Sequence, residues 1–249
     1  MPKVSVLMST YNDARFLPQA LDSALGQSFG DFELLVVNDN SSDQTDAVLR
    51  AYQKKDARII FWTNPVNLGL TENLNAGLKR ASGEYIARLD SDDFWTNKNK
   101  LQKQVEFLDR NPDCCLVGTW AEVYGSGNKK LYDLKYPAED LKIRRQLLRH
   151  NCFVHSSVLI RKANILAAGS YDPNWQYIED YALWLKLGLK AKFANIPEIM
   201  VRYRVNYFGV TRTKNKQQIR AVLSLIKEYK SEYPQYTRAL FKWTLQYYI

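Results

Sequence analysis

Gly83-Glu84-Tyr85-Ile86-Ala87-Arg88-Leu89-Asp90-Ser91-Asp92-Asp93 is the stretch that decides the fold. Its first half reads as a buried strand from Glu84 to Leu89. That strand runs without a break into Asp90-Ser91-Asp92-Asp93, where three of four residues are carboxylates. In an extended turn residues i and i+2 point the same way, so Asp90 and Asp92 can face one point. Hard oxygen ligands in that arrangement suit Mn²⁺ or Mg²⁺, which keep open positions for phosphate oxygens. The plainer alternative is a polar turn with Asp93 capping the next helix.

The pattern recurs upstream. Val4 to Met8, Phe32 to Val37 and Arg58 to Trp62 read as short apolar strands. Each gives way to a polar cluster: Ser9 to Asp13, Asn38 to Asp43, and Asn64 to Gly69. Helices are predicted over Asp13 to Leu25, Gln44 to Tyr52 and Leu70 to Lys79, from apolar residues at i, i+3, i+4 spacing. Strands alternating with helices imply βαβ units and a mostly parallel sheet. Ligands of such sheets bind beyond the carboxyl ends of the strands, where these four clusters fall.

The second half is less regular. Helices are expected over Lys98 to Leu108, Asp140 to Leu148 and Tyr181 to Leu189. Strands are expected over Cys114 to Val123, Lys130 to Tyr136 and Val154 to Ile160, with a turn at Gly125-Ser126-Gly127.

Composition narrows the function classes. The 249 residues are 46% hydrophobic and 24% charged, ordinary for a soluble globular protein. No run approaches a membrane span, and the N-terminus does not resemble a signal peptide. Three cysteines without C-x-x-C spacing suit a reducing cytoplasm. His150, Cys152 and His155 fit no standard zinc spacing. Neither G-x-G-x-x-G nor G-x-x-x-x-G-K-[ST] occurs, which argues against dinucleotide oxidoreductases and P-loop enzymes. Asn40-Ser41-Ser42 has the form of a glycosylation site, but nothing indicates secretion.

Several of these motifs, in order, resemble family 2 glycosyltransferases of the non-processive bacterial type. Val4 to Asn12 resembles the family's opening, Gln27 to Thr45 its second block, and Asn67 to Leu70 with Gly83 to Asp93 its third and fourth. His155-Ser156-Ser157-Val158, Gly169-Ser170-Tyr171-Asp172 and Glu179 to Trp184 resemble its acceptor-side blocks. The likeness runs from about residue 3 to 205. It implies a GT-A fold, a Rossmann-like sheet flanked by helices, and transfer of a sugar from a nucleotide donor with inversion. A UDP-hexose or UDP-N-acetylhexosamine is the expected donor. A glycan or lipid-linked saccharide is the expected acceptor, in cell-surface polysaccharide or lipopolysaccharide synthesis.

Carried over by position, Thr10, Tyr11 and Asp13 would line the uracil pocket, and Asp39 would accept from the uracil N3–H. Asn67, Arg88 and Ser91 would lie at the nucleotide sugar. Asp90 would meet the ribose or the metal, and Asp92 would ligate the metal on the diphosphate. Asp180 would be the catalytic base. His155, Glu179 and Trp184 would contact the acceptor. The sequence departs from the family at Asn38, where Asp is usual, and at Asn206, where His is usual. No Gln-x-x-Arg-Trp motif follows Asp180, so a processive synthase is not expected.

The net charge is +9, with a pI near 9.3. From Glu198 onward there are ten Lys/Arg against three acids, so +7 of it is C-terminal. Residues 1–205 are expected to form the catalytic domain, 1–93 for the nucleotide sugar and 94–205 for the acceptor. Residues 206–249 would be a basic, amphipathic helical extension. Tyr236, Leu240, Trp243 and Tyr247 share one face of its last helix, and Phe241, Leu245 and Tyr248 another. A membrane surface and a second subunit are the alternatives for the outer face. A cytoplasmic enzyme peripheral to the inner face of the cytoplasmic membrane is the expectation. Two competing functions are a sugar-nucleotide pyrophosphorylase-like nucleotidyltransferase and a basic nucleic-acid-binding protein. The first lacks its Gly-rich basic loop, and acidic strand ends oppose the second, so no nucleic-acid partner is expected.

Overall fold

A computed structural model describes residues 1–125, 128–205 and 215–248. Asn206, most of the loop Phe208 to Lys216 and part of the turn at Gly125-Ser126-Gly127 lie outside them. In β1 (Val4–Thr10) every residue but Ser9 is buried, as a strand covered on both faces requires. Its side chains alternate between two cores. Val6 and Met8 join one, and Leu7 joins the other.

β2 (Phe32–Asn38) and β4 (Tyr85–Arg88) flank β1 in parallel, and β3 (Ile59–Thr63) adds to β2. The linking helices are α1 (Leu17–Leu25), α2 (Thr45–Gln53) and α3 (Leu70–Arg80). α1 buries Leu17, Ala20, Leu21 and Ala24, the face its spacing predicts. It starts at Leu17 rather than Asp13. Asp13 O instead accepts the N–H groups of Phe16 and Leu17 at 2.8 and 2.9 Å in a turn, and Pro18 sets the first helical residues.

The sheet continues through β5 (Phe94–Trp95), β6 (Cys114–Tyr124), β7 (Lys130–Leu134), β8 (Leu159–Arg161) and β9 (Lys192–Arg204). Its order is β3-β2-β1-β4-β8-β6-β9-β5, with β7 beside β6. The parallel arrangement holds from β3 to β4 and again between β6 and β9, whereas β8 runs antiparallel to both β4 and β6. The strand expected from Val154 is short because His155–Ser157 form a 3₁₀ turn. β9 was not predicted as one long strand because Pro197 interrupts its pattern. The register steps there from Ile196 opposite Thr119 to Ile199 opposite Trp120, so a bulge absorbs the proline.

α4 (Lys100–Arg110), α5 (Asp140–Gln146), α6 (Lys162–Ala167) and α7 (Glu179–Leu187) cover the second half. α6 was not foreseen. α7 begins two residues before the predicted Tyr181, which places Glu179 and Asp180 in its first turn. The last two helices, α8 (Asn215–Glu228) and α9 (Tyr236–Tyr248), complete the core around α7. Val222, Leu225, Ile226, Tyr233 and Ala239 are buried in the same cluster as Tyr181 to Leu185. Tyr233 Oη donates to Leu185 O at 2.8 Å, and Gln218 Nε2 to Tyr177 O at 3.2 Å. Among the described residues no helix is long and apolar enough to cross a membrane.

Leu225 is fully buried between α8 and this core. Leu225→Ala is therefore expected to cost about 2–5 kcal/mol. Urea unfolding checks it, and a loss below about 0.5 kcal/mol, the range of surface changes, would mean that α8 is only loosely held.

Candidate active site

The carboxyl ends of β1, β2 and β4 meet at one edge of the sheet, and their loops are laced together. Asn12, at a φ of 56°, donates its N–H to Ser41 Oγ (2.9 Å) and accepts from Ser42 N (2.8 Å). Asn tolerates this left-handed conformation better than most residues. Ala14 N donates to Asp43 Oδ2 at 3.0 Å. Asn38, where the family has Asp, works inside the turn: its Nδ2 donates to Thr63 Oγ1 at 3.2 Å and its Oδ1 accepts from Ser41 N at 3.1 Å.

Asp39 lies just past β2 and holds the next loop. Asn64 Nδ2 (2.9 Å) and Leu68 N (2.8 Å) donate to its Oδ1, and Gly69 N (2.9 Å) to its Oδ2. Gly69 sits at a φ of 86°, which glycine adopts without strain. Of the roughly four lone-pair sites on a carboxylate, these donors leave one, on Oδ2. Asn67 Nδ2 reaches Asp39 O at 3.4 Å. Thr10 ends β1 with a buried Oγ1 that has no hydrogen-bond partner, and the Tyr11 ring is half exposed. Asn64 and Asn73 were not foreseen. They bridge Asp39 to Ser9, with Asn64 Nδ2 to Asn73 Oδ1 at 2.7 Å and Asn73 Nδ2 to Ser9 Oγ at 3.0 Å.

The end of β4 gathers the carboxylates. Arg88 is fully buried, and its donors are spent inside the protein. It bonds Leu7 O at 2.6 Å, Leu89 O at 3.0 Å and His155 Nε2 at 3.2 Å, and it pairs closely with Asp90. Its expected place at the nucleotide is corrected accordingly: it positions Asp90 from behind. Arg88 and a hydrogen bond with Ser156 help hold the Asp90 carboxyl below its ordinary value despite burial. Asp93 is also buried, accepting from Ser156 Oγ at 2.5 Å and Arg204 N at 2.8 Å. Burial and the charges of Asp92 and Asp90 push its carboxyl well up. Ser91 Oγ donates to Asp13 Oδ2 at 2.5 Å. Burial also raises Asp13.

Asp92 differs from its neighbours. No donor from another described residue reaches its carboxylate, and burial with the charges of Asp90 and Asp13 pushes it up to about 7. Among the described residues no cluster of three His, Cys, Asp or Glu side chains could hold a metal unaided. A divalent ion that arrives with phosphates needs only one or two carboxylates from the protein. Asp92 fits that demand, with Asp90 beside it largely committed to Arg88 and Ser156.

In the first turn of α7, Asp180 accepts from Asn151 Nδ2 at 2.8 Å and from Tyr181 N at 2.6 Å. Burial raises it to about 6, and it feels the charges of Asp90 and Arg88. Glu179 is buried and pushed up to about 7 by burial and by Asp180. The other two expected acceptor contacts are engaged within the protein, Trp184 fully buried and His155 partly exposed. Trp184 is fully buried in the core against Phe153 and His155. His155 Nε2 is occupied by Arg88 and by Tyr171 Oη at 2.9 Å, and burial lowers the ring to about 3, so it is neutral. The helical spacing already puts Trp184 on the apolar side with Leu183, Leu185 and Leu187.

The comparisons agree with this geometry. A model of the family described as glycosyl transferase family 2 matches residues 5–166. An uncharacterized glycosyltransferase of Methanocaldococcus jannaschii is 30% identical over 255 residues, covering 99% of this chain and 86% of the relative. WfgD of Escherichia coli, a UDP-Glc:alpha-D-GlcNAc-diphosphoundecaprenol beta-1,3-glucosyltransferase, is 30% identical over 216 residues, 86% of this chain and 81% of that protein. In three dimensions the chain is similar to S. aureus TarS 1–349 in complex with UDP-GlcNAc, with a TM-score of 0.75 at 20% identity, covering 99% of this chain and 72% of that one. It is also similar to the mannosyltransferase PcManGT of Pyrobaculum calidifontis in complex with GDP-Man and Mn²⁺, with a TM-score of 0.74 at 17% identity, covering 98% and 74%. These likenesses show the GT-A fold.

Glu179 gives a test of the site's electrostatics. Its raised value means that the folded state holds a proton that the unfolded chain releases, so its contribution is complete below about pH 4 and lost as pH rises through about 7. Glu179→Gln should therefore raise the melting temperature at pH 8 and leave it unchanged at pH 4. Thermal unfolding across that range measures it.

Proposed function

The chain belongs to glycosyl transferase family 2, and from that premise we propose that it moves a sugar from a UDP-sugar to a hydroxyl of a glycan or lipid-linked acceptor, with inversion. Cell-surface polysaccharide synthesis is the proposed setting, and the cytoplasm the proposed place, where nucleotide sugars are available. Membership of the family displaces the nucleotidyltransferase reading. The observation that carries the proposal is Asp180, a carboxylate held in the first turn of α7 by Asn151 Nδ2 at 2.8 Å and Tyr181 N at 2.6 Å, which burial raises to about 6. A base of that strength is mostly ionised at neutral pH and still able to hold a proton in the transition state.

The acceptor hydroxyl gives its proton to Asp180 while its oxygen forms a bond to the anomeric carbon. The bond from that carbon to the diphosphate oxygen breaks on the opposite side, and UDP leaves. Asn151 Nδ2 holds Asp180 Oδ2 and Tyr181 N holds Oδ1, so the carboxylate is fixed in place and each oxygen keeps a lone pair for the incoming hydroxyl. On the donor side, the exposed Tyr11 ring offers a stacking face and Thr10 Oγ1 an unused polar atom. The remaining Oδ2 lone pair of Asp39 can accept the uracil N3–H, and Asn67 lies beside it. Asp13 and Ser91 brace the loop that presents Asp92. A Mn²⁺ or Mg²⁺ held by Asp92, with Asp90 next to it, would neutralise charge on the departing diphosphate. Glu179 is the proposed acceptor contact; His155 and Arg88 form the wall behind it.

Asp180→Asn is expected to lower kcat by about 10²–10⁴-fold, the range for a lost general base, with donor affinity preserved. Asp92→Ala should instead weaken Mn²⁺-dependent donor binding in calorimetry. Near-wild-type turnover in Asp180→Asn would remove it as the base. In the wild type kcat/KM should fall as pH drops below about 6, as Asp180 takes up its proton. The donor itself is read by thermal shift with nucleotide sugars and Mn²⁺. A true donor at 100 times its Kd adds about 2.7 kcal/mol, and a response to GDP-mannose alone would replace the UDP assignment.

A further inference from the structure

The structure separates the two faces of α9. Tyr236 and Trp243 pack on the core around α7, with Trp243 Nε1 donating to Leu148 O at 3.1 Å, and Tyr247 Oη accepts from Arg220 Nε at 2.7 Å. Phe241, Leu245 and Tyr248 follow at i, i+4 and i+7 on the other side, and Phe241 is 73% exposed. An open cleft borders this ribbon, lined by Arg149, Thr237, Arg238, Phe241 and Lys242, with no acid among them. α9 itself, Tyr236 to Tyr248, contains no Asp or Glu.

Two of the cleft's cations are held by uncharged partners, and Arg149 Nη1 reaches Gln235 Oε1 at 3.4 Å. Lys242 Nζ donates to Arg149 O at 2.6 Å and to His150 Nδ1 at 2.9 Å. Burial and the neighbouring Arg149 lower its ammonium. Arg149 Nε is buried with no hydrogen-bond partner. Two cations that crowd one another, a third on the same cleft lining, an orphaned guanidinium donor and an apolar ribbon alongside specify an occupant that is anionic at one point and apolar next to it. The phosphate headgroup of a lipid in a bilayer meets that description, with the rings entering the interface and the phosphate at the cations. A second copy of the chain would bring its own cations to the same cleft.

We propose that Arg149, Arg238 and Lys242 form a phosphate site which, with Phe241, Leu245 and Tyr248, seats the protein on an anionic lipid surface. The site is distinct from the donor cleft and does not rest on the sugar-transfer reading. It lies on the segment that carries the proposed base's partner: α9 bonds Leu148, Arg149 and His150, and the next residue, Asn151, bonds Asp180.

Co-sedimentation with vesicles of phosphatidylcholine, with and without phosphatidylglycerol, tests it. The full chain should bind the phosphatidylglycerol vesicles and leave the others. Arg238→Gln should weaken that binding about fivefold, and Phe241→Ser with Leu245→Ser by about tenfold or more. These side chains are exposed, and unchanged melting temperatures control for folding. Absence of vesicle binding, equal binding to both vesicles, or binding unaffected by the variants would overturn the proposal. Displacement by inorganic phosphate at constant ionic strength with no effect of Phe241→Ser would mark a free-phosphate site and also overturn it. So would a dimer, seen by sedimentation equilibrium, that Phe241→Ser dissociates while vesicles go unbound.

Discussion

Asp13, Asp90, Asp92 and Asp93 are crowded at the end of β4, and one buried guanidinium makes the crowd tolerable. Arg88 ties β4 to β1 through Leu7 O, to the His155 turn, and to Asp90 by charge. Burying a cation and an anion together is costly unless nearly every donor and acceptor is used. Here Leu7, Leu89, His155 and Asp90 between them engage the guanidinium. The negative potential that remains falls on Asp92 and Asp93, which are pushed toward their protonated forms.

The acceptor side depends on a different economy. α7 presents Asp180 in its first turn, but its own face is almost wholly apolar, so its position is set by what packs on it. β6 and β9 lie beneath, and α8 and α9 close over it. Gly188, at the end of α7, has no room for a side chain, since a Cβ there would lie 2.2 Å from Tyr233 Oη. The C-terminal helices thus brace α7 from outside while one of them turns a basic, aromatic face to solvent.

Much of the first half of the fold is legible in the sequence. Strands end where apolar runs meet Asp and Asn, and the end of β4 follows from Gly83 to Asp93. The candidate residues form a set in the sequence because they fall on consecutive strand ends. Their individual tasks were not legible. Asp39 and Arg88 both read as ligand contacts, yet most of their hydrogen-bonding capacity goes to the protein's own loops. A residue type announces which bonds it can make, not which partner reaches it first. β9 was hidden by Pro197, and His155 by the lack of periodicity in a 3₁₀ turn.

The sequence by itself determined the βαβ order, the acidic edge, the family and the concentration of basic charge near the C-terminus. All of these are local: they rest on period, on composition at strand ends and on motifs read in order. The tertiary structure alone decided which carboxylate keeps a free oxygen, how far Asp180 and Glu179 are raised, and which side of α9 stays wet. Those depend on burial and on partners dozens of residues away, such as Ser156 for Asp90, Asn151 for Asp180 and Leu148 for Trp243. Solvation and proximity are set by packing, and packing is where the chain's local rules stop.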